Sequence, residues 1–271
     1  MPNVVAAEIE STTELLERKS DVIRYVGAEQ VSGNSLVVPE ANIGRYERAR
    51  EDTVFPLEYA FYLLGNLSGK TVIDLGCGNG LNTVILASLG ARVLSIDISS
   101  QSLELTGKRA AANKVDDRVT LLNCDATAIP VEASTVDAVL CTGMLDQVDA
   151  IKTARQIRRV LKPAGVAVFD EAITGPTPFR SIRTMAYSED TDRAAAGPLT
   201  PWKVDAVCRA VGRSGRRREF WLTTRFVSRM GARTFSPAAK AAQRVDAAVL
   251  QRFPFARKIA SPLVWEARKE S

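Results

Sequence analysis

The 271-residue sequence lacks one residue type altogether, because it contains no histidine. Serine–histidine catalysis, cysteine–histidine catalysis and every histidine-ligated metal site are therefore excluded. A general base, if one is used, must be a carboxylate, a tyrosine, a lysine or a cysteine. None of the four cysteines, Cys77, Cys124, Cys141 and Cys208, forms a Cys-x-x-Cys pair. We therefore predict neither a bound metal nor a disulfide framework, and we interpret the cysteines as small buried residues.

Long apolar runs are also absent, and none approaches the roughly 20 residues that a membrane-spanning helix needs. The N-terminal stretch MPNVVAAEIESTTELLERKSD is acidic and helix-like. It lacks the basic segment followed by an apolar one that is typical of a secretory signal, so we expect a cytoplasmic protein. The composition, 46% hydrophobic and 25% charged, is that of an ordinary globular chain.

The net charge of +5 is unevenly distributed along the chain. From Leu199 onward there are 16 Lys and Arg residues against 5 Asp and Glu residues. A basic C-terminal third could attract nucleic acid, anionic lipid or an acidic substrate, and it could equally be a solvated surface.

Short apolar runs alternate with segments of helical periodicity over the middle of the chain. This alternation predicts βαβ units and a parallel sheet with right-handed crossovers. The predicted strands are Thr71–Leu75, Arg92–Ile98, Val119–Asn123, Val136–Cys141, Val166–Glu171, Arg217–Phe226 and Ser261–Arg268. The main predicted helices are Pro56–Leu64, Asn79–Leu89, a helix capped by Ser100 that runs to about Asn113, a helix capped by Asp149, and one that begins at Thr200-Pro201. We predict a turn at Lys162–Gly165, of type I because Ala164 resists a positive φ.

The stretch VIDLGCGNG, Val72–Gly80, combines a buried strand with glycines at positions 76, 78 and 80. Such glycines let a ligand approach the backbone, and the helix that follows offers free N–H groups. Dinucleotide sites favour the spacing GxGxxG, whereas this loop reads GxGxG. Asp74 stands two residues before the first glycine, and an acid there suits a ligand with an ammonium group rather than a diphosphate. Asp97, at the end of the second strand, is placed to accept hydrogen bonds from ribose hydroxyls.

The motif VIDLGCGNG resembles motif I of the class I S-adenosylmethionine-dependent methyltransferases. Four further blocks follow in the family's order: VLSIDIS, NCDATAIP, TVDAVLCTGML and RRVLKPAGVAVFDE. Together they cover about 100 contiguous residues, and they look closest to the small-molecule subgroup that includes ubiquinone and menaquinone methyltransferases. The resemblance implies a Rossmann-like, doubly wound α/β fold with seven strands, mostly parallel and with an antiparallel last strand.

The resemblance also implies a set of roles in binding S-adenosylmethionine. Gly76, Gly78 and Gly80 would make room for the methionine part, and Asp74 would orient its amino group. Asp97 would take the ribose hydroxyls, and Ile98 would pack on the adenine unless it is simply core. The remaining predicted contacts are Asp125 and Ala126 with the adenine, and Cys141, Thr142 and Gly143 along the sulfonium and methyl side, where Cys141 too has core packing as its alternative.

For domain organisation we predict a helical N-terminal extension or lid, residues 1–65, followed by a class I methyltransferase domain, residues 66–271. Two insertions, at about 172–200 and 227–261, would form the acceptor pocket together with the extension. Asp146 and Glu171 follow strands four and five and are the candidate bases. Alternatively, Asp146 caps a helix and Glu171 forms a salt bridge. Tyr46 could close over the cofactor or simply pack.

The predicted reaction is an in-line methyl transfer to a small molecule: an apolar or aromatic metabolite, a quinone precursor or a natural product. Two alternatives stay open. An RNA or protein methyltransferase could use the Arg-rich stretch GRSGRRRE, although no base-stacking motif accompanies it and we regard a nucleic-acid partner as unfavoured. A non-catalytic cofactor-binding module is the other alternative. The sequence does not indicate an oligomeric state.

Overall fold

The structure is a computed structural model that describes residues 36–53, 55–173, 199–220 and 262–270, with scattered positions between 241 and 253. The helices are α1 Glu40–Glu47, α2 Pro56–Leu64, α3 Leu81–Ser88, α4 Ser100–Ala112, α5 Ala150–Val160 and α6 Pro201–Val211. The strands are β1 Thr71–Leu75, β2 Arg92–Asp97, β3 Val119–Asn123, β4 Val136–Thr142, β5 Leu161–Glu171, β6 Arg213–Glu219 and β7 Leu263–Arg268. No helix in these described ranges is long and apolar enough to cross a membrane.

The seven strands form one sheet in the order β3-β2-β1-β4-β5-β7-β6. The five strands from β3 to β5 pair in parallel, and β7 is antiparallel to both of its neighbours. The strand order reverses between β1 and β4, so the connections that leave the carboxyl ends of these two strands turn to opposite faces of the sheet and leave a crevice between them. Ligands of open α/β sheets bind at this kind of switch point. The predicted Rossmann-like, mostly parallel sheet with an antiparallel last strand is confirmed.

Apolar side chains cover both faces of the sheet, which explains why the strands read as continuous apolar runs. One face packs against α5 and α6, where Ile157 and Phe169 are fully buried. The other face packs against α2 and α3, where Phe61 and Ile85 are buried. Successive residues of β5 alternate between the two cores, with Phe169 on the first face and Val168 on the second.

Several predicted boundaries need small corrections. The cap of α4 is Ser99, whose side chain accepts a hydrogen bond from the Ser102 N–H, and the helix itself begins at Ser100. Strand β6 spans Arg213–Glu219 and so begins four residues earlier than predicted, because its register is set by pairing with β7 at the sheet edge. Asp149 caps α5 as expected, accepting from Ile151 N–H and Lys152 N–H.

The prediction of a type I turn at Lys162–Gly165 followed by a strand from Val166 was wrong, because β5 already begins at Leu161 and its pairing with β4 is irregular between Leu161 and Val166. Ala164 adopts φ 61°, so it occupies the left-handed region that the sequence analysis disfavoured. Its N–H donates to the carbonyl of Lys269 at 3.1 Å, and the Lys269 N–H returns a bond to Gly165 O at 3.0 Å. This pair joins the turn to the end of β7. Tertiary hydrogen bonding therefore overrides the local preference at Ala164.

The described part of the N-terminal extension contains two helices: α2 packs on β5 and β7, and α1 contacts α2 and α3. Residues 1–35 lie outside the described residues. So do 174–198 of the first predicted insertion and 227–240 and 254–261 of the second. The division of the chain into an extension, a domain and two insertions remains a prediction.

Candidate active site

The glycine loop that links β1 to α3 is held from below by the second strand. The N–H groups of Gly76 and Cys77 both donate to the carbonyl of Ile96, at 2.8 and 3.0 Å. All three glycines have positive φ, from 53° to 76°. Side chains other than glycine avoid this region, which accounts for the glycine at each position.

The three glycines face different surroundings. A Cβ on Gly80 would lie 2.7 Å from Thr106 Cα, and one on Gly76 would lie 2.8 Å from Met144 Sδ. On Gly78 the nearest atom would be 4.0 Å away. Gly80 and Gly76 therefore permit close packing inside the protein. Gly78 leaves the backbone open on the side where a ligand would lie.

Helix α4 fixes the outer side of the loop through two side chains that the sequence analysis did not single out. Arg109 Nε donates to Asn79 O at 2.8 Å. Thr106 Oγ1 donates to Gly78 O at 3.2 Å. Both bonds reach backbone carbonyls and so fix the loop to α4. In the sequence, the only indication of this role is that the two residues are three apart and so lie on one face of a helix.

Asp74 lies under this loop and is fully buried. Its Oδ2 accepts a hydrogen bond from Thr83 Oγ1 at 2.6 Å. Its Oδ1 has no partner among the described residues. Burial raises the pKa of Asp74 to about 7, against the opposing hydrogen bond from Thr83. A buried carboxylate oxygen without a donor is costly, so this atom is suited to a ligand that brings a donor or a positive charge.

Asp97 ends β2 and is tied to the same loop. Its Oδ2 accepts from the Gly78 N–H and its Oδ1 from the Ser99 N–H, both at 2.9 Å. A carboxylate has about four acceptor positions, so capacity remains for ribose hydroxyls. Ile98 beside it is 73% exposed, which excludes the core alternative and leaves an apolar surface for a planar base. Asn123 Nδ2 donates to Asp97 O and Ile98 O and steadies the corner.

The adenine-side residues follow β3. Asp125 is exposed, and its Oδ1 accepts from the Thr127 N–H at 2.7 Å, so the carboxylate is fixed in a local turn. Ala126 is buried next to it. Both lie beyond the carboxyl end of β3, on the same edge as Asp97 and Asp74. The edge therefore carries the predicted cofactor-binding acids together.

The end of β4 supplies the segment predicted to face the transferred methyl group. Cys141 is fully buried, its Sγ lying 3.6 Å from Glu171 Oε1, so its side chain is core. Thr142 Oγ1 accepts a hydrogen bond from Asn82 Nδ2 at 3.1 Å. Gly143 has φ 64°, and a Cβ there would meet nothing within 4 Å. Gly143 thus presents bare backbone to open space, like Gly78.

Glu171 is buried, and it makes no salt bridge with any of the residues that the structure describes. Its Oε1 accepts from the N–H groups of Met144 and Leu145, at 3.1 and 3.2 Å. Burial raises the pKa of Glu171 to about 8, although these two hydrogen bonds oppose it and the charges of Asp146 and Asp170 add to it. Asp146 lies in the adjoining turn and is partly exposed; the cap of α5 is Asp149 instead.

Tyr46 and Asp170 lie at the same edge of the sheet, on the face that packs against α2 and α3. Tyr46, on α1, packs on Phe61 with ring centroids 4.8 Å apart. Burial raises the pKa of Tyr46 to about 12; Arg45 opposes the shift, whereas Glu58 and Asp170 add to it. Burial also raises the pKa of Asp170 to about 7. The sequence analysis missed Asp170, because the acid beside it, Glu171, stands at the strand end and drew the assignment.

The chain thus has a Rossmann-like α/β fold with a glycine-lined cradle at the switch point and acids at the ends of three adjacent strands. The family described as "Methyltransferase domain" matches residues 73–169. This stretch contains the cradle, all the predicted cofactor contacts and most of the parallel sheet. Residues 73–169 are therefore similar to this family over the part of the chain that carries the cradle.

Two curated relatives show how far the likeness extends. The demethylmenaquinone methyltransferase of Clavibacter sepedonicus is 36% identical over 113 residues, covering 41% of this chain and 45% of that protein. The cypemycin N-terminal methyltransferase of a Streptomyces species is 34% identical over 136 residues, covering 47% and 53%. The chain spans about half the length of the curated relatives it matches.

Among solved structures, the geranyl diphosphate C-methyltransferase of Streptomyces coelicolor A3(2) resembles the chain over a larger part of its length. The two superpose with a TM-score of 0.58 at 17% identity, covering 78% of this chain and 77% of that one. At this identity the likeness shows that the fold is shared.

Proposed function

We propose that the protein is an S-adenosylmethionine-dependent methyltransferase acting on a small-molecule acceptor. The observation that carries the proposal is the unpartnered, buried Oδ1 of Asp74 beneath an open glycine loop. The amino group of the cofactor would supply the missing donor. A dinucleotide would instead bring a diphosphate close to an acid, which is electrostatically unfavourable.

The residues divide the binding of the cofactor among them. Asp74 would hold the amino group, Asp97 the ribose hydroxyls and Ile98 one face of the adenine. When bound, the cofactor supplies an activated methyl group on a sulfonium. The protein's contribution would be to orient the acceptor in line with the carbon–sulfur bond and to exclude water.

Two of the four arginines in the Arg-rich stretch are engaged within the fold, which reduces the cationic surface that the stretch offers to RNA and favours a small-molecule acceptor. Arg216 pairs with the buried Glu266 and donates to Tyr62. Arg218 donates to Glu51 O and lies over the ring of Phe220. Guanidinium groups engaged in the fold are less available to phosphates, whose contacts dominate nucleic-acid affinity.

Calorimetric titrations with S-adenosylmethionine and with NADH test the cofactor assignment. We expect binding of the first and none of the second, since only the first carries an ammonium group for Asp74. Asp97→Asn should weaken S-adenosylmethionine binding by about 10- to 100-fold through lost charged hydrogen bonds. Asp116→Asn, an exposed acid remote from the cradle, is the matched control. Binding of NADH alone would refute the proposal.

A further inference from the structure

Two neighbouring carboxylates at the end of β5 point to opposite faces of the sheet. Side chains alternate along a strand, and Val168 and Phe169 already belong to different cores. Glu171 falls on the Phe169 side, where it accepts the N–H groups of Met144 and Leu145. One of its two carboxylate oxygens, Oε1, is thereby occupied in holding the loop after β4. Glu171 therefore has a positioning role in that loop.

Asp170 falls on the opposite side, with α1 and α2. Tyr46 is the titratable group that faces it from α1, and Glu171 is the charged neighbour on its own strand. No hydrogen bond or ion pair joins its carboxylate to any residue in the described ranges. Asp170 is only partly buried, and neither of its carboxylate oxygens is among the fully buried atoms that lack a partner in the described residues. The carboxylate is therefore accessible to a ligand on this side of the sheet.

The backbone places Asp170 directly beside the segment assigned to the methyl side of the cofactor. Thr142 on β4 is its register partner. The Gly143 N–H donates to the Asp170 carbonyl at 3.0 Å. Asp170 is therefore one strand, roughly 5 Å, further from the cradle than Thr142. An acceptor in line with the carbon–sulfur bond would have to lie in that direction.

We propose that Asp170 is the catalytic carboxylate that faces the transferred methyl group and binds the acceptor through the O–H or N–H of its reacting atom. This inference rests on the proposed function and narrows its substrate class to acceptors whose reacting atom carries a dissociable proton. In the step, a lone pair of that oxygen or nitrogen forms the bond to the methyl carbon. The carbon–sulfur electron pair goes to sulfur, and the acceptor's proton passes to the Asp170 carboxylate and then to solvent.

Sinefungin tests this placement without a known acceptor, because it carries an amine on carbon where the cofactor carries its methylsulfonium. S-adenosylhomocysteine lacks that positive group but shares the remaining contacts. The ratio of the two dissociation constants therefore reports on charge facing the methyl position, and effects at Asp74 or Asp97 cancel. Calorimetry on the full chain gives both constants.

For Asp170→Asn we expect S-adenosylhomocysteine affinity within twofold of wild type and sinefungin affinity about tenfold weaker, which corresponds to about 1.4 kcal/mol. Asp170→Glu should retain most of the sinefungin preference, because it keeps the charge. Asp52→Asn, an exposed acid paired with Arg50, is the control and should change neither constant. An unchanged affinity for S-adenosylhomocysteine also verifies that the Asp170→Asn variant is folded.

The outcomes separate the two proposals. If the wild-type chain binds neither S-adenosylmethionine nor S-adenosylhomocysteine, the proposed function fails and this inference fails with it. If both bind and Asp170→Asn leaves the sinefungin ratio within twofold of wild type, the cofactor assignment stands and the role of Asp170 is overturned. If Asp170→Asn instead abolishes S-adenosylhomocysteine binding, Asp170 supports the cradle, and its assignment to the acceptor is likewise overturned.

Discussion

At the scale of single residues, the site is marked by carboxylates whose surroundings disfavour their charge. Asp74, Asp170 and Glu171 all have a pKa raised by burial, to about 7, 7 and 8. Such groups cluster where proteins bind ligands or move protons. Their hydrogen-bond partners distinguish them. Glu171 accepts from two backbone N–H groups and Asp74 from one hydroxyl, whereas the Asp170 carboxylate accepts from none of the described residues.

The protonation of Asp74 should be coupled to cofactor binding. A ligand ammonium favours the carboxylate, so affinity for S-adenosylhomocysteine should rise as the pH increases from 6 to 8 through the raised pKa of about 7. Asp74→Asn should remove this dependence and weaken binding at pH 8 by about 10- to 100-fold. Calorimetry at pH 6, 7 and 8, in buffers of different ionisation enthalpy, measures both the affinity and the proton released.

Glu104→Gln provides the control for that experiment, because Glu104 is an exposed acid whose partner is Lys108 on the same helix. It should bind with the wild-type pH dependence. Wild-type affinity that is flat from pH 6 to 8 would mean that Asp74 does not meet the amino group.

At the scale of elements, the loop between β1 and α3 is shaped by how closely α4 approaches it. Gly80 has φ 76°, and a Cβ there would lie 2.7 Å from the backbone of Thr106. Gly69 has a similar φ of 72°, but a Cβ there would meet nothing within 4 Å. The two positions separate the cost of backbone strain from the cost of steric overlap.

Gly69→Ala should therefore destabilise the protein by about 1 to 2 kcal/mol through left-handed strain alone. Gly80→Ala should cost a further 1 to 3 kcal/mol or so, because α4 must move away from the loop. Urea unfolding of the two variants beside wild type measures the difference. Equal losses in the two variants would show that α4 yields freely and that close packing does not explain Gly80.

Strand β1, which is buried on both faces, was predicted at Thr71–Leu75 as observed, because a continuous apolar run has few alternative structures. Strand β3 was also predicted as observed, at Val119–Asn123, although it is a largely exposed edge strand. Strand β6 was placed too late, since Arg213–Glu219 is a charged edge whose register depends on β7, about 50 residues later in the chain. Local pattern cannot encode a pairing of that sequence separation.

The site shows the same division between local and tertiary information. The glycine motif and the acids at strand ends could be named from the sequence, because their spacing is local. Asp170 could not be distinguished from Glu171, since both belong to one strand and only the packing of α1 and of the loop after β4 separates their roles. Ala164 was misjudged for a related reason, as its hydrogen bond goes to Lys269.

At the scale of the whole molecule, the buried acids make stability depend on pH in a definite direction. Asp74, Asp170 and Glu171 keep their protons in the folded protein up to about pH 7 or 8 but lose them near pH 4 when unfolded. The folded state thus binds more protons over this interval, and stability falls as the pH rises through it. Each group still protonated contributes up to about 1.4 kcal/mol per pH unit.

Acids whose pKa is lowered in the folded protein limit its stability at the acidic end of the pH range. Burial alone would raise the pKa of Glu266, but its hydrogen bonds with Arg216 and the charges of Arg268 and Arg216 hold it below its usual value. For Asp137 the bonds from Lys162 and the Thr71 N–H likewise outweigh burial. The stability that these two acids contribute is present above their unfolded pKa, near 4, and is lost as the pH falls below it.

We therefore expect the ligand-free protein to be most stable near pH 5 and to lose stability steadily up to pH 8. The free energy of unfolding, from urea titrations at pH 5, 6, 7 and 8, tests this, and Asp74→Asn should show a shallower decline. S-adenosylhomocysteine should stabilise most at the alkaline end, because its ammonium compensates the Asp74 carboxylate that the free protein leaves unpaired. Stability that increases from pH 5 to pH 8 without ligand would mean that the three carboxylates are already ionised in the fold, each with a compensating partner.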